Sequence, residues 1–114
     1  MTDGLKTIIY PVKDLSNAKA LYTRLLGVQP DMDQPYYVGF SAAGQHIGLD
    51  PNGHSQGMTG PVGYWDVEDI EQTLNALVDA GAQVKQPVKD VGGGKLVAAV
   101  TDADGNVIGL VQPA

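Results

Sequence analysis

Two histidines and an aspartate stand close together in this sequence: His46, Asp50 and His54. Imidazole and carboxylate are donors that zinc, iron and manganese accept. An imidazole that titrates near neutrality also suits proton transfer. His46 and Asp50 lie two residues to either side of Gly48, so an extended chain puts all three on one sheet face. No partner donor comes from the matching stretch of the second half, which holds Val107, Gly109 and Val111. The pattern therefore favours polar contacts to a ligand over a metal centre.

Other chemistry-bearing patterns fail on spacing. Val91-Gly92-Gly93-Gly94-Lys95 resembles a phosphate loop, but that loop needs a glycine where Lys89 stands and Ser or Thr where Leu96 stands. It reads as a turn that can flank a site as a mobile lip. There is no G-x-S-x-G elbow and no H-E-x-x-H. Asp14 and Asp69 read as helix caps, and the Asp66/Glu68/Asp69 cluster as a solvated strand end. With no cysteine, disulfides, thiolate zinc sites and a thiol nucleophile are excluded.

The elements that position these residues come in two rounds. Val12-Lys13-Asp14-Leu15 and a helical stretch ending at Gly27 are echoed by Val67-Glu68-Asp69-Ile70 and a stretch ending at Gly81. Gly44 to Leu49 is echoed by Gly105 to Leu110 in the same order, which marks an internal repeat. Thr7 to Val12 is β-branched and apolar, as a strand requires. Asp14 caps a helix whose apolar face is Leu15, Ala18, Leu21, Tyr22, Leu25 and Leu26, and Gly27 stops it. Asp69, with Gln72 as capping-box partner, starts a second helix with Ile70, Thr73, Leu74, Leu77 and Val78 on one face. Tyr36 to Ser41 and Gln45 to Asp50 form a hairpin around Ala42-Ala43-Gly44. Lys95 to Thr101 and Asn106 to Gln112 form its counterpart. The expectation is one α+β domain over 1–114: module one 1–52, linker 53–60, module two 61–114, each βαβββ. A doubly wound sheet would need more helices and a glycine-rich turn after the first strand.

Composition narrows the partners. The chain has 114 residues and 43% apolar content, which fits one folded domain and not a disordered chain. The net charge is −6 and the seven basic residues are scattered singly, so no stripe exists to neutralise phosphates and nucleic acid is not expected. No apolar run reaches the ~20 residues that span a bilayer, and Met1-Thr2-Asp3-Gly4, with no basic or apolar leader pattern, leads us to expect no signal peptide. A cytoplasmic location with no membrane partner is expected.

Several phrases together resemble the glyoxalase/bleomycin-resistance, or vicinal oxygen chelate, superfamily. They are Val12-x-Asp14-Leu15, Tyr22-x-x-Leu25-Leu26-Gly27, Asp66-Val67-Glu68-Asp69-Ile70 and Asp102-x-Asp104-Gly105-Asn106, where Ala103 replaces the usual proline. The resemblance covers nearly the whole chain. It implies two modules that curl into a cleft, completed in a homodimer. It also implies four metal-binding side chains, from the first and last strand of each module. Carried over, these fall on Thr7, Gly48, Val62 and Gly109. None is a good donor, so the resemblance is to a version without the usual metal ligands and without a resident cofactor.

Within that frame the aromatics Tyr36, Tyr37, Phe40, Tyr64 and Trp65 lie on cleft-forming strands. Alternation puts Tyr64 on the face of Val62 and sends Trp65 toward the helices. The expected ligand-binding residues are Thr7, Tyr37, His46, Asp50, Val62 and Tyr64, around a largely apolar cavity for a small organic molecule. The resemblance points to metal-free binding, as in antibiotic sequestration, more than to an enzyme, and leaves the question of turnover open. The alternative is a glyoxalase-like lyase, isomerase or dioxygenase with a non-standard site around His46 and Asp50.

Overall fold

Helix caps and glycines set the boundaries of the elements. In a computed structural model describing residues 1–114, Asp14 takes the N–H of Asn17 at 3.0 Å and opens helix α1, Leu15–Leu26. Gly27 closes it at φ 71°, a left-handed conformation that costs glycine nothing. Asp69 takes the N–H of Gln72 at 3.1 Å and opens α2, Ile70–Asp79. Gln72 enters this cap through its backbone, and the neighbouring N–H of Ile70 goes to Gln112 Oε1 at 2.9 Å. After Ala80, Gly81 at φ 111° turns the chain away.

Eight strands accompany the two helices: β1 Thr2–Pro11, β2 Met32–Gln34, β3 Tyr37–Ala42, β4 Gln45–Asp50, β5 Val62–Val67, β6 Gln83–Asp90, β7 Leu96–Thr101 and β8 Val107–Gln112. The fold is α+β, built of two βαβββ rounds. β1 starts five residues earlier than the β-branched run alone suggests. The chain divides into two compact units, Thr7–Val62 and Met1–Lys6 with Gly63–Ala114.

In the Thr7–Val62 unit the strand order is β2-β3-β4-β1, with β4 parallel to β1 and the other pairs antiparallel. The hairpin loop is two residues, Ala43 and Gly44, both at positive φ (53° and 76°), as a type I′ turn requires. Ala18, Val38, Phe40 and Leu49 form the core, with Tyr10, Leu15, Tyr22 and Leu26 packed against them. Leu21 and Leu25 were expected on this face but are 64% and 73% exposed. The six residues of the expected face, in a twelve-residue helix, make a stripe wider than this sheet covers, and these two sit at its margin.

The other unit repeats the plan as β5-β8-β7-β6, with β5 parallel to β8. Val67, Ile70, Leu74, Ala98, Val100 and Leu110 form its core. Val78, expected on the buried face of α2, is 41% exposed. No helix is long and apolar enough to cross a membrane.

Candidate functional site

The two faces of each sheet carry different chemistry because side chains alternate. In the Thr7–Val62 unit, Val38, Phe40, Ile47 and Leu49 point to α1. The opposite face follows from register: Thr7 pairs with His46, Ile9 with Gly48 and Pro11 with Asp50, while Gly39 pairs with Gly48 and Ser41 with His46. Thr7, Tyr37, His46 and Asp50, four of the expected site residues, thus share one face. Phe40, expected among the site aromatics, is fully buried on the helix side, and Tyr36 is 58% exposed just before β3.

Tyr37 and His46 are brought into contact. The phenol oxygen and Nε2 share a hydrogen bond of 3.0 Å, and the rings lie 21° from parallel with centroids 6.3 Å apart. The Tyr37 ring crosses the two glycines that face each other on β3 and β4. A Cβ at Gly48 would overlap the Tyr37 hydroxyl and stand 2.7 Å from its Cζ and 2.6 Å from Ile9 Cδ1. A Cβ at Gly39 would stand 3.0 Å from His46 Cε1 and 3.2 Å from Tyr37 Cε2. A glycine inside a strand marks such a close approach. Gly39 was missed in the sequence, although a glycine two residues after a strand tyrosine was the available signal.

His46 and Asp50 are not brought together. They stand four residues apart on β4, about 13 Å at strand rise. The Asp50 carboxylate takes the N–H of Asn52 at 2.8 Å and anchors the turn that leaves the strand. His54 is exposed in a 3₁₀ turn, His54–Gln56. His46, Asp50 and His54 therefore do not form a metal-holding group, and no three His, Asp or Glu side chains do so elsewhere.

The second unit repeats the motif with another ring. Tyr64 on β5 pairs with Gly109 on β8, and its ring covers that glycine: a Cβ there would stand 2.5 Å from Tyr64 Cδ2 and 2.8 Å from the Gly63 carbonyl oxygen. Trp65 pairs with Leu110, a residue of the helix-side core, and is 38% exposed. Val62 is buried at the start of β5.

The four positions where the resemblance implies metal ligands are thus Thr7, with a neutral hydroxyl, Val62, with no donor atom, and Gly48 and Gly109, each under a tyrosine ring. This set does not fit zinc, iron or manganese, which take imidazole, carboxylate or thiolate.

Solved structures share this fold. The methylmalonyl-CoA epimerase of Mycobacterium tuberculosis is 19% identical with a TM-score of 0.74, covering 99% of this chain and 89% of that one. A glyoxalase/bleomycin resistance protein/dioxygenase superfamily member from Vibrio splendidus 12B01 is 18% identical, TM-score 0.73, covering 95% and 97%. A variant of the Streptomyces coelicolor methylmalonyl-CoA epimerase, in complex with 2-nitronate-propionyl-CoA, is 13% identical, TM-score 0.76, covering 100% and 96%. At these identities the likeness is one of fold. No curated protein matches the chain. The family model for the Glyoxalase/Bleomycin resistance protein/Dioxygenase superfamily matches residues 4–110, and the chain belongs to that superfamily.

Proposed function

We propose that this protein binds a small organic molecule on its tyrosine-bearing sheet faces, without a resident metal, as a sequestering protein does. The supporting observation is the pair of glycines at positions 48 and 109, each covered by a tyrosine ring where the superfamily resemblance implies a metal ligand. Tyr37 and Tyr64 supply flat apolar surface with polar tips, and such rings bind planar molecules well. Thr7 and His46 add polar groups beside Tyr37, with Asp50 further along β4 and Val62 an apolar wall at the start of β5.

The test is a thermal-shift screen of small organic compounds, bleomycin and mitomycin among them, followed by titration of any binder. A compound that stabilises the protein and loses affinity in a folded Tyr64→Ala variant supports the reading. Unchanged affinity removes Tyr64 from the site, and a screen without binders counts against the reading.

The assembly expected is a homodimer. Light scattering that returns the monomer mass of 11.9 kDa contradicts it.

One observation favours an enzymatic reading. The Tyr37–His46 hydrogen bond is a route for a proton, since a phenol and an imidazole both donate and accept. Asp50, tied to its turn, is not the partner of His46 in such a step. Turnover of a bound compound that disappears in His46→Ala, with binding retained, would put this lyase or isomerase reading first.

A further inference from the structure

Position 48 holds no side chain, yet a polar group stands where one would begin. The Tyr37 hydroxyl overlaps the point where a Cβ of residue 48 would lie, and His46 Nε2 holds that hydroxyl at 3.0 Å. Thr7 lies beside His46 in register, and Ile9 reaches over Gly48 from the other side. The surface is a small polar spot bordered by aliphatic and aromatic carbon. Ser41 also shares this face, but its hydroxyl is given to Asp31 at 2.6 Å.

We infer that the Tyr37–His46 pair receives a neutral oxygen atom of a ligand without negative charge, a carbonyl or a hydroxyl, in the place where a metal-binding side chain would otherwise project. This deepens, and rests on, the small-molecule reading above. When Nε2–H donates to the phenol oxygen, the O–H serves a carbonyl; when the O–H donates to Nε2, the phenol oxygen accepts from a hydroxyl, so the pair suits either oxygen type. The ligand is not an anion because the Tyr37 face of β1, β3 and β4 carries no lysine or arginine within the Thr7–Val62 unit. A carboxylate or phosphate would find no permanent positive charge there, and the net charge of −6 opposes an anion further. The rest of the molecule is apolar, to match Ile9, the Tyr37 ring and the bare backbone at Gly39 and Gly48.

Three probes of similar size separate these terms: ethylbenzene, acetophenone and benzoate. Each is titrated by ligand-observed NMR into the full chain, as native protein, Tyr37→Phe and His46→Ala. Tyr37→Phe keeps the ring over Gly48 and removes only the hydroxyl, so it tests the oxygen contact without emptying the face. Circular dichroism confirms that each variant is folded. In the native protein acetophenone should bind about 3- to 10-fold more tightly than ethylbenzene, the range of one neutral hydrogen bond, and benzoate more weakly than acetophenone. In Tyr37→Phe the two neutral probes should become equal. His46→Ala should reduce the preference for acetophenone. A preference that survives both variants, or benzoate as the strongest binder, overturns the inference. Equal binding of all three probes overturns it while leaving small-molecule binding intact. Failure of every probe to bind the native protein overturns it as well, and the small-molecule reading is then decided by the thermal-shift screen.

Discussion

The ring of Tyr37 lies across Gly48 so closely that a methyl group at position 48 would stand 2.7 Å from its Cζ. The phenol is held there by His46 at 3.0 Å. Glycine at 48 and tyrosine at 37 are therefore one feature: the ring needs the bare backbone. Gly48→Ala should destabilise the fold by about 1–3 kcal/mol through overpacking. In a Tyr37→Ala background the same change should cost less, because the other obstacle, Ile9 Cδ1, is the end of a flexible side chain. Urea unfolding of the four proteins in the double-mutant cycle measures this coupling. Additive costs would mean that the ring does not hold position 48 as glycine.

Gly109 should behave differently. Its new methyl would meet Tyr64 Cδ2 at 2.5 Å but also the backbone oxygen of Gly63 at 2.8 Å. A backbone atom cannot swing away. Gly109→Ala should thus lose stability that Tyr64→Ala restores only in part. Full rescue, read from the same unfolding curves, would contradict this contact.

Asp14 and Asp69 each cap a helix through one side-chain hydrogen bond. Asp14→Ala and Asp69→Ala should each cost about 1 kcal/mol in chemical unfolding. Ile70 still donates its N–H to Gln112 Oε1 when Asp69 is removed, so Asp69→Ala with Gln112→Ala should cost more than either alone. A double variant no worse than Asp69→Ala would remove Gln112 from the cap.

Asp102 folds the β7–β8 turn around itself. It accepts from Asn106 Nδ2 at 3.0 Å and from the N–H groups of Asn106 and Asp104 at 2.9 and 3.0 Å. These bonds hold its carboxyl below the ordinary aspartate range, with the Asn106 side chain the largest contributor. A depressed acid stabilises the fold above its unfolded pKa and loses that contribution as pH falls through the folded value. On acidification below 3.8, the ordinary aspartate value, the melting temperature of the native protein should fall more steeply than that of Asp102→Asn. Parallel curves would contradict the role of this carboxylate.

The caps, the stops at Gly27 and Gly81 and the repeat were legible in the sequence because each is local chemistry. β2 and β6 were not. Met32–Gln34 is three exposed residues, and β6 holds Lys85, Pro87 and Lys89 with little alternation. Both are terminal strands of their unit's β-order, and polar edge strands lack the period that betrays a half-buried one. The shared face of Thr7, His46 and Asp50 followed from alternation. The Tyr37–His46 contact did not, because it depends on register. A three-residue loop at Ala42-Ala43-Gly44 would set Ser41 opposite Gln45; the observed two-residue loop sets it opposite His46. Gly48 and Gly109 read as lost ligands, and only the structure reveals the rings that cover them.

The most direct test of the central claim is elemental analysis of protein expressed with iron, zinc, manganese and nickel available and purified without chelators. With glycines under tyrosine rings at two ligand positions, less than about a tenth of an equivalent of each metal is expected. About one equivalent of any of them, bound by this chain, would contradict the account and put a metal-dependent enzyme in its place.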